Sequence, residues 1–299
     1  MSKHNQFFAI VTPFTKSGRI DEKALFDYLK FLEESGVRSI IVNGTTGEFA
    51  SLSISERIDL LELTRMYFSG YIVNNISSCS YKEANTMARL SVAADALLIL
   101  PPFYYCSIEN AGLINFFVKS LDGLSKPVYI YNFPKHVKTS ITPYIFKEII
   151  AVCQNVIGIK DSGGDIKISQ GFNDVSDNIG VFVGEDSLAL QVLKCGLSGS
   201  VTGAGNPFPE FLVALNTAWS KGDIAQAEKI QRGFDIWNNF RKTLLGHEIS
   251  IVKYTLSLRL GSFLNLVRAP LVELEQSEKI KIKNYLDELL RVANSVKII

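Results

Sequence analysis

The chain has 299 residues, of which 47% are hydrophobic and 20% charged, so it is long enough for one large α/β domain with an appendage or for two ordinary domains. Its formal net charge is +1, from 31 basic and 30 acidic side chains, which gives no electrostatic case for a nucleic acid or an anionic membrane as a partner. The first residues lack the apolar segment of a signal peptide, and no apolar stretch approaches the ~20 residues that cross a bilayer, so we expect a soluble, cytoplasmic protein.

Short β-rich apolar runs alternate along the chain with longer amphipathic stretches. The predicted strands comprise residues 7–12, 39–44, 71–76, 96–100, 127–132, 156–160, 180–184 and 199–203. Helical segments lie between them, for example residues 21–35, 53–67 and 109–121.

Eight alternating βα units predict a parallel sheet closed into a (β/α)8 TIM barrel. The main alternative is a doubly wound sheet. Such a sheet normally has a phosphate-binding loop after its first strand, and residues 11–20 contain neither a GxGxxG motif nor a Walker lysine.

The predicted strands stop after Trp219. Residues 222–245, 248–260 and 277–296 are typical of helices. The sequence therefore predicts two regions, a barrel with the catalytic site over residues 1–221 and a helical region over residues 222–299.

Unusual polar residues end two of the predicted strands, at the edge where such barrels carry their active sites. Lys160 follows an apolar run at the end of the sixth strand, and Tyr131 ends the fifth. Because alternate residues of a strand share a face, the aliphatic residues should point toward the helices and Tyr131 and Lys160 into the lumen. The two strands are neighbours, so we expect the two side chains to lie close together.

A lysine alone usually marks only the point where a strand reaches water. In an apolar lumen, however, desolvation penalises the charged form of an amine, and a neutral amine can attack a ketone to form a Schiff base. A neighbouring phenol can then carry protons through the carbinolamine, imine and enamine. Lys160 and Tyr131 together indicate this chemistry.

The segment Gly44–Gly47 follows the second strand and is a candidate site for a substrate carboxylate. Its threonine hydroxyls and small residues let backbone N–H groups face an anion. The alternative is an ordinary glycine turn before a helix, with Glu48 in solvent.

Other candidate residues are weaker. The aromatic cluster 101–105 is more typical of loop packing, Cys106 lacks an activating neighbour, and His136 is typical of a surface loop. The scattered cysteines and histidines predict neither a metal site nor disulfides, and they are Cys79, Cys106, Cys153, Cys195, His4, His136 and His247.

Six segments together resemble the dihydrodipicolinate synthase/N-acetylneuraminate lyase family of pyruvate-dependent class I aldolases. They are "TPF" at 12–14, "GTTGE" at 44–48, "PPFYY" at 101–105, "YNFP" at 131–134, "GIKDS" at 158–162 and "GNPFPE" at 205–210. The combination is specific, whereas any one motif alone is weak. The resemblance covers nearly the whole chain and implies a (β/α)8 barrel with a helical C-terminal region.

The resemblance also implies site roles. Lys160 would be the Schiff-base lysine and Tyr131 the acid/base phenol. Thr45 and Thr46 would bind the substrate carboxylate, with Thr45 also relaying protons. The remaining implied residues are Tyr104, usually lent across a dimer interface, Val201, whose backbone carbonyl would lie near the keto acid, and the substrate-binding glycines Gly47 and Gly184.

The substrate is indicated by departures from the family pattern. Dihydrodipicolinate synthases carry an arginine soon after "YNxP" to hold the carboxylate of the aldehyde, and this chain has His136 there. Neuraminate lyases usually have a Ser-Gly-like turn that "KHVKTS" does not match. Archaeal 2-keto-3-deoxygluconate aldolases share "PPxYY" and a proline-glutamate pair after strand eight. Those that accept the 6-phosphate carry an arginine where this chain has Ser107.

We therefore expect a class I aldolase of carbohydrate metabolism, of Entner–Doudoroff type, that splits 2-keto-3-deoxygluconate or a similar sugar acid into pyruvate and glyceraldehyde. The resemblance implies a covalent lysine–pyruvate imine, no metal or external cofactor, and a homotetramer built as a dimer of dimers. The alternatives are 4-hydroxy-tetrahydrodipicolinate synthase, an N-acetylneuraminate lyase-like aldolase and a non-catalytic barrel that senses keto acids.

Overall fold

The computed structural model describes residues 6–105 and 108–296. Within these residues, eight strands form a closed parallel barrel in chain order, which confirms the predicted TIM barrel. The strands are β1 (Gln6–Ala9), β2 (Ser39–Val42), β3 (Tyr71–Asn75), β4 (Ala96–Ile99), β5 (Val128–Asn132), β6 (Val156–Asp161), β7 (Gly180–Val183) and β8 (Gly199–Thr202).

Helices connect the strands and continue after the last one. Those in the described residues are α1 (Glu22–Glu34), α2 (Ile54–Tyr67), α3 (Tyr81–Leu90), α4 (Asn110–Ser120), α5 (Pro134–Val137), α6 (Pro143–Val152), α7 (Ile166–Asn173), α8 (Ala189–Lys194), α9 (Pro209–Ser220), α10 (Ile224–Lys242), α11 (Glu248–Arg259) and α12 (Gln276–Ser295). None of these helices is long and apolar enough to cross a membrane.

Local sequence explains where the elements begin and end. Helix α1 begins after Asp21, whose side chain accepts the Ala24 N–H, and α2 begins with a capping box formed by Ser53 and Glu56. Strand β2 ends at Val42, earlier than predicted, because the next residue, Asn43, has a φ of 56° that an extended strand does not accommodate.

An aromatic side chain packs between strands β5 and β6, two residues before the candidate catalytic residues. Tyr129 pairs in register with Gly158, and a Cβ at Gly158 would lie only 2.7 Å from the Tyr129 ring, so glycine is required there. The Tyr129 ring also makes an edge contact with Phe182 at a centroid distance of 5.7 Å. Burial raises the pKa of the Tyr129 phenol, which therefore stays protonated in this apolar layer.

The described residues divide into two compact units. One is Tyr71–Val201, and the other consists of Gln6–Gly70 and the described residues from Thr202 onward. The second unit contains both β1 and the C-terminal helices, so the predicted boundary after residue 221 stays a prediction. Within this unit, the Trp237 indole of α10 is fully buried and donates to the Ala204 carbonyl at 2.8 Å.

Candidate active site

The predicted amine and phenol are neighbours in the structure. Tyr131 and Lys160 are in register on strands β5 and β6, and the Lys160 ammonium lies 4.0 Å from the centroid of the Tyr131 ring. Only 6% of Lys160 and 2% of Tyr131 is exposed. In the described part of the chain, no carboxylate forms an ion pair with Lys160. A buried amine without a fixed counter-charge, beside a phenol ring, is the arrangement expected for Schiff-base chemistry.

A hydrogen-bonded network fixes the strand ends that carry this pair. The next residues along the two strands, Asn132 and Asp161, are also in register, and the Asn132 amide donates to Asp161 Oδ1 at 2.8 Å. The same oxygen accepts the Gly163 N–H at 3.0 Å, and Oδ2 accepts the Ser169 hydroxyl at 2.6 Å. Asn132 Oδ1 in turn accepts the Ile141 N–H at 3.0 Å.

Sequence reasoning missed the network that joins Asn132 and Asp161. Both side chains are buried, and the Asp161 carboxylate is held by three neutral donors. Besides their places in the "YNFP" and "GIKDS" motifs, their sequence signal is position, since each directly follows a candidate catalytic residue at the end of its strand. Through the shared register, the network fixes where the Lys160 amine and the Tyr131 ring meet.

Gly184 follows strand β7 and borders the lysine side chain. A Cβ at this position would overlap the Ser162 hydroxyl and lie 3.5 Å from Lys160 Cε. The absence of a side chain therefore leaves room along the stem of Lys160. This is a steric reason for the predicted substrate-binding glycine.

Two other predicted residues of the same unit differ in their exposure. Val201 is buried in strand β8. Tyr104 is 78% exposed, and its ring makes an edge contact with Tyr105 at 5.4 Å. Such exposure leaves the Tyr104 phenol available to another chain. Cys106 and Ser107 lie outside the described residues.

In the other unit, the segment after β2 forms a compact turn. The Gly47 N–H donates to the Gly44 carbonyl and the Glu48 N–H to the Thr45 carbonyl, both at 3.0 Å. The Thr12 hydroxyl donates to the Gly47 carbonyl at 2.6 Å. Thr45 and Thr46 remain half-buried.

The turn is packed closely on both sides. A Cβ at Gly203 would overlap the Thr46 side chain, so only glycine permits the approach of the two segments. Glu48 is buried, with a left-handed φ of 59°, and its carboxylate forms an ion pair with Lys253 of α11. The alternative of an ordinary turn with Glu48 in solvent is therefore wrong, because a cation carried by the C-terminal helices neutralises the carboxylate.

An aromatic stack extends from the candidate site to His136. The rings of Tyr131 and Phe133 stack at 5.6 Å with an angle of 20°, and those of Phe133 and His136 at 4.0 Å with an angle of 29°. His136 is exposed, as expected, but it lies in the short helix α5 and not in a loop. The imidazole thus lies against an aromatic surface that leads to the Tyr131 phenol.

Three thiols of the described residues are unpaired with one another. Cys79, Cys153 and Cys195 are free, and burial raises the pKa of the Cys153 thiol. In the described ranges, no group of three or more histidine, cysteine, aspartate or glutamate side chains is arranged to hold a metal ion.

Comparisons with known proteins agree on one family. The model of the dihydrodipicolinate synthetase family matches residues 3–289. The chain is 30% identical over 285 residues to the 4-hydroxy-tetrahydrodipicolinate synthase of Methanosarcina mazei, which covers 94% of this chain and 96% of that protein.

Solved structures give the same result. A variant of the 2-keto-3-deoxygluconate aldolase of Sulfolobus solfataricus, in complex with pyruvate, matches with a TM-score of 0.87 and 25% identity, over 98% of this chain and 99% of that chain. The sialic acid aldolase of Ruminococcus gnavus matches with a TM-score of 0.93 over 99% of this chain and 100% of that chain, and at 21% identity it supports the fold alone.

Proposed function

Because this chain belongs to the dihydrodipicolinate synthetase family and is a pyruvate-dependent lyase, we propose that it cleaves 2-keto-3-deoxygluconate, or a similar 2-keto-3-deoxy sugar acid, reversibly to pyruvate and glyceraldehyde. Members of the family form a Schiff base between a lysine and pyruvate. A barrel that only senses keto acids is the alternative from another class, and membership in a family of lyases disfavours it.

We assign the Schiff-base lysine to Lys160. Its neutral amine attacks the C2 ketone, and loss of water from the carbinolamine gives the imine. The iminium form accepts the electron pair of the C3–C4 bond as that bond breaks, which releases the aldehyde and leaves the enamine of pyruvate. Protonation of the enamine at C3 and hydrolysis return pyruvate and the free lysine. Burial of Lys160 and its contact with the Tyr131 ring support this role.

The Tyr131 phenol is assigned the proton transfers, including removal of the C4 hydroxyl proton during cleavage. The hydroxyls of Thr45 and Thr46, with the backbone of Gly47, bind the carboxylate of the keto acid, and Thr45 also relays protons. The Val201 carbonyl and the space beside Gly184 are also assigned to pyruvate binding. A neighbouring subunit contributes Tyr104, which requires at least a dimer and agrees with the expected homotetramer.

The observation that carries the substrate assignment is the side chain at position 136. A dihydrodipicolinate synthase holds the carboxylate of aspartate semialdehyde with an arginine there, as the family resemblance implies. This chain has His136, stacked on Phe133 at 4.0 Å, which offers an aromatic surface instead of a bidentate cation. An uncharged polyol chain is the acceptor that this surface suits better.

A second candidate is 4-hydroxy-tetrahydrodipicolinate synthase, the name of the 30% identical relative from M. mazei. Steady-state condensation of pyruvate with three aldehydes distinguishes the two. We expect kcat/KM for glyceraldehyde to exceed the values for glyceraldehyde 3-phosphate and for aspartate semialdehyde, because each charged contact that arginine would supply is worth ~1.5–3 kcal/mol.

The variants His136→Arg and His136→Gln make this test specific. The arginine should raise kcat/KM for aspartate semialdehyde, whereas glutamine, which adds no charge, should not. Preference of the unmodified enzyme for aspartate semialdehyde would overturn the sugar-acid assignment in favour of the second candidate. Preference for glyceraldehyde 3-phosphate would show that another cation replaces the missing arginine.

A further inference from the structure

We propose that Lys253, on helix α11, is a positioning residue for pyruvate binding, because its buried ion pair with Glu48 holds the turn that carries Thr45 and Thr46. The inference rests on the proposed role of the two threonines. It assigns to the C-terminal helices a function in substrate affinity.

Both members of the pair are fully buried and fully engaged. Lys253 Nζ contacts Glu48 Oε1, donates to the Leu266 carbonyl at 2.8 Å and lies 4.2 Å from the centroid of the Phe14 ring. The second oxygen of Glu48 accepts the Arg268 N–H at 2.9 Å. The carboxylate is therefore tied to α11 and to the segment that follows it.

The anchored residue is the one that closes the turn. The Glu48 N–H donates to the Thr45 carbonyl, so the position of Glu48 sets the conformation between the two residues, including Thr46. Glu48 adopts a left-handed φ of 59°, which a residue with a long side chain rarely adopts unless its surroundings impose it. The ion pair supplies that constraint.

The charges around Lys253 are balanced. The Arg268 guanidinium lies 4.6 Å from the centroid of the same Phe14 ring and donates to Glu56 Oε2 at 2.9 Å. This pairing lowers the pKa of Glu56 to about 2, so Glu56 stays charged. The charged groups facing Lys253 are thus Glu48 and Arg268, with Glu56 behind the latter. Loss of the lysine charge would leave a net negative charge beside a turn proposed to bind an anion.

Stability alone does not explain the ion pair between Glu48 and Lys253. Burial lowers the pKa of Lys253 to about 8, although the nearby Glu48 carboxylate raises it. The folded protein therefore binds this proton less firmly than the unfolded chain does. Buried ion pairs can often be replaced by apolar groups without loss of stability, whereas removal of one partner is destabilising. The contacts of the pair with the turn therefore support a role in position.

The test compares the double variant Glu48→Gln/Lys253→Met with the unmodified enzyme. The dependence of borohydride trapping on pyruvate concentration gives the half-saturation for pyruvate without any assumption about the aldehyde. We expect the melting temperature to be maintained and the half-saturation concentration to rise by about 10- to 100-fold, with trapping still complete at saturation. A maintained melting temperature with unchanged half-saturation would overturn the proposal.

Two further variants keep the test decisive. Glu48→Gln is isosteric and covers the case in which the double variant fails to fold, and it too should raise the half-saturation concentration; an unchanged value refutes the proposal. Leu256→Ala makes a cavity at a buried position of α11 and keeps both members of the pair. It should lower the melting temperature and leave the half-saturation concentration for pyruvate unchanged. If that concentration rises as much as in the double variant, loosening of α11 alone explains the effect and the proposal is overturned. If the unmodified enzyme is not trapped at all, the proposed function fails instead.

Discussion

Replacement of Asp161 by alanine tests whether the network behind the catalytic pair positions it. The carboxylate accepts hydrogen bonds from the Asn132 amide, the Gly163 N–H and the Ser169 hydroxyl. Alanine removes all three acceptor contacts at once. Asp161→Asn is the matched control, because it keeps Oδ1 as an acceptor and the Ser169 hydroxyl can rotate to accept from the new amide.

The expected magnitudes follow from the burial of each donor. A buried donor left without an acceptor costs ~1–3 kcal/mol. Gly163 is exposed, so water can replace its lost contact, and Ser169 also lies 3.3 Å from the Asp165 carbonyl. The Asn132 amide carries most of the loss. We therefore expect Asp161→Ala to lower the free energy of unfolding by ~2–4 kcal/mol and Asp161→Asn by ~1 kcal/mol.

The functional effect should exceed what stability alone produces. Asn132 directly follows Tyr131, and Asp161 directly follows Lys160, so release of the network changes the contact between amine and phenol. At a temperature where both variants are folded, kcat/KM should fall by about 10²-fold for alanine and much less for asparagine. Urea unfolding and steady-state kinetics supply the two measurements. A folded alanine variant with near-normal kcat/KM would refute the positioning role of the network.

Three other expectations can be checked with the same assays. Tyr131→Phe should lower kcat by ~10²–10⁴-fold while imine trapping remains detectable, since only the proton carrier is lost; a near-normal kcat would assign Tyr131 to packing. Gly184→Ala should cost ~1–3 kcal/mol of stability and reduce kcat/KM, because the added methyl group contacts Ser162 and Lys160. Gly261→Ala, where the structure leaves open space, should do neither. Equal effects at both sites would exclude a steric role for Gly184. Because the pKa of Lys253 is lowered, the unfolded chain binds more protons than the folded one between pH 8 and 10.5. The free energy of unfolding should therefore rise with pH across this window, by up to about 3 kcal/mol. The rise should be smaller in the Glu48→Gln/Lys253→Met variant, and identical slopes would contradict the lowered pKa.

The parts of the fold that were predicted correctly depend on local patterns. The alternation of apolar runs and amphipathic segments predicts the barrel, and the period of two within strands predicts that Tyr131 lies beside Lys160, as the structure has it. Strand ends were less accurate where a single residue decides them, as at Asn43 with its positive φ.

The parts that were not predicted depend on partners far apart in sequence. Glu48 and Lys253 are separated by 205 positions, and nothing in the local pattern of α11 indicates that this lysine is buried. The "GTTGE" motif alone was compatible with a solvated glutamate. The bond between Asn132 and Asp161 requires the register of two strands, and nothing in either local sequence shows that the two side chains bond.

The most direct test of the central claim is chemical trapping of the imine. Borohydride added in the presence of pyruvate should attach one carboxyethyl group to Lys160. Trypsin does not cleave at the modified lysine, so the label should appear in the peptide spanning residues 148–167. Lys160→Ala should fold, show no label and have no activity. A label on a different lysine, or an active enzyme that acquires none, would contradict the assignment of Lys160 as the Schiff-base residue.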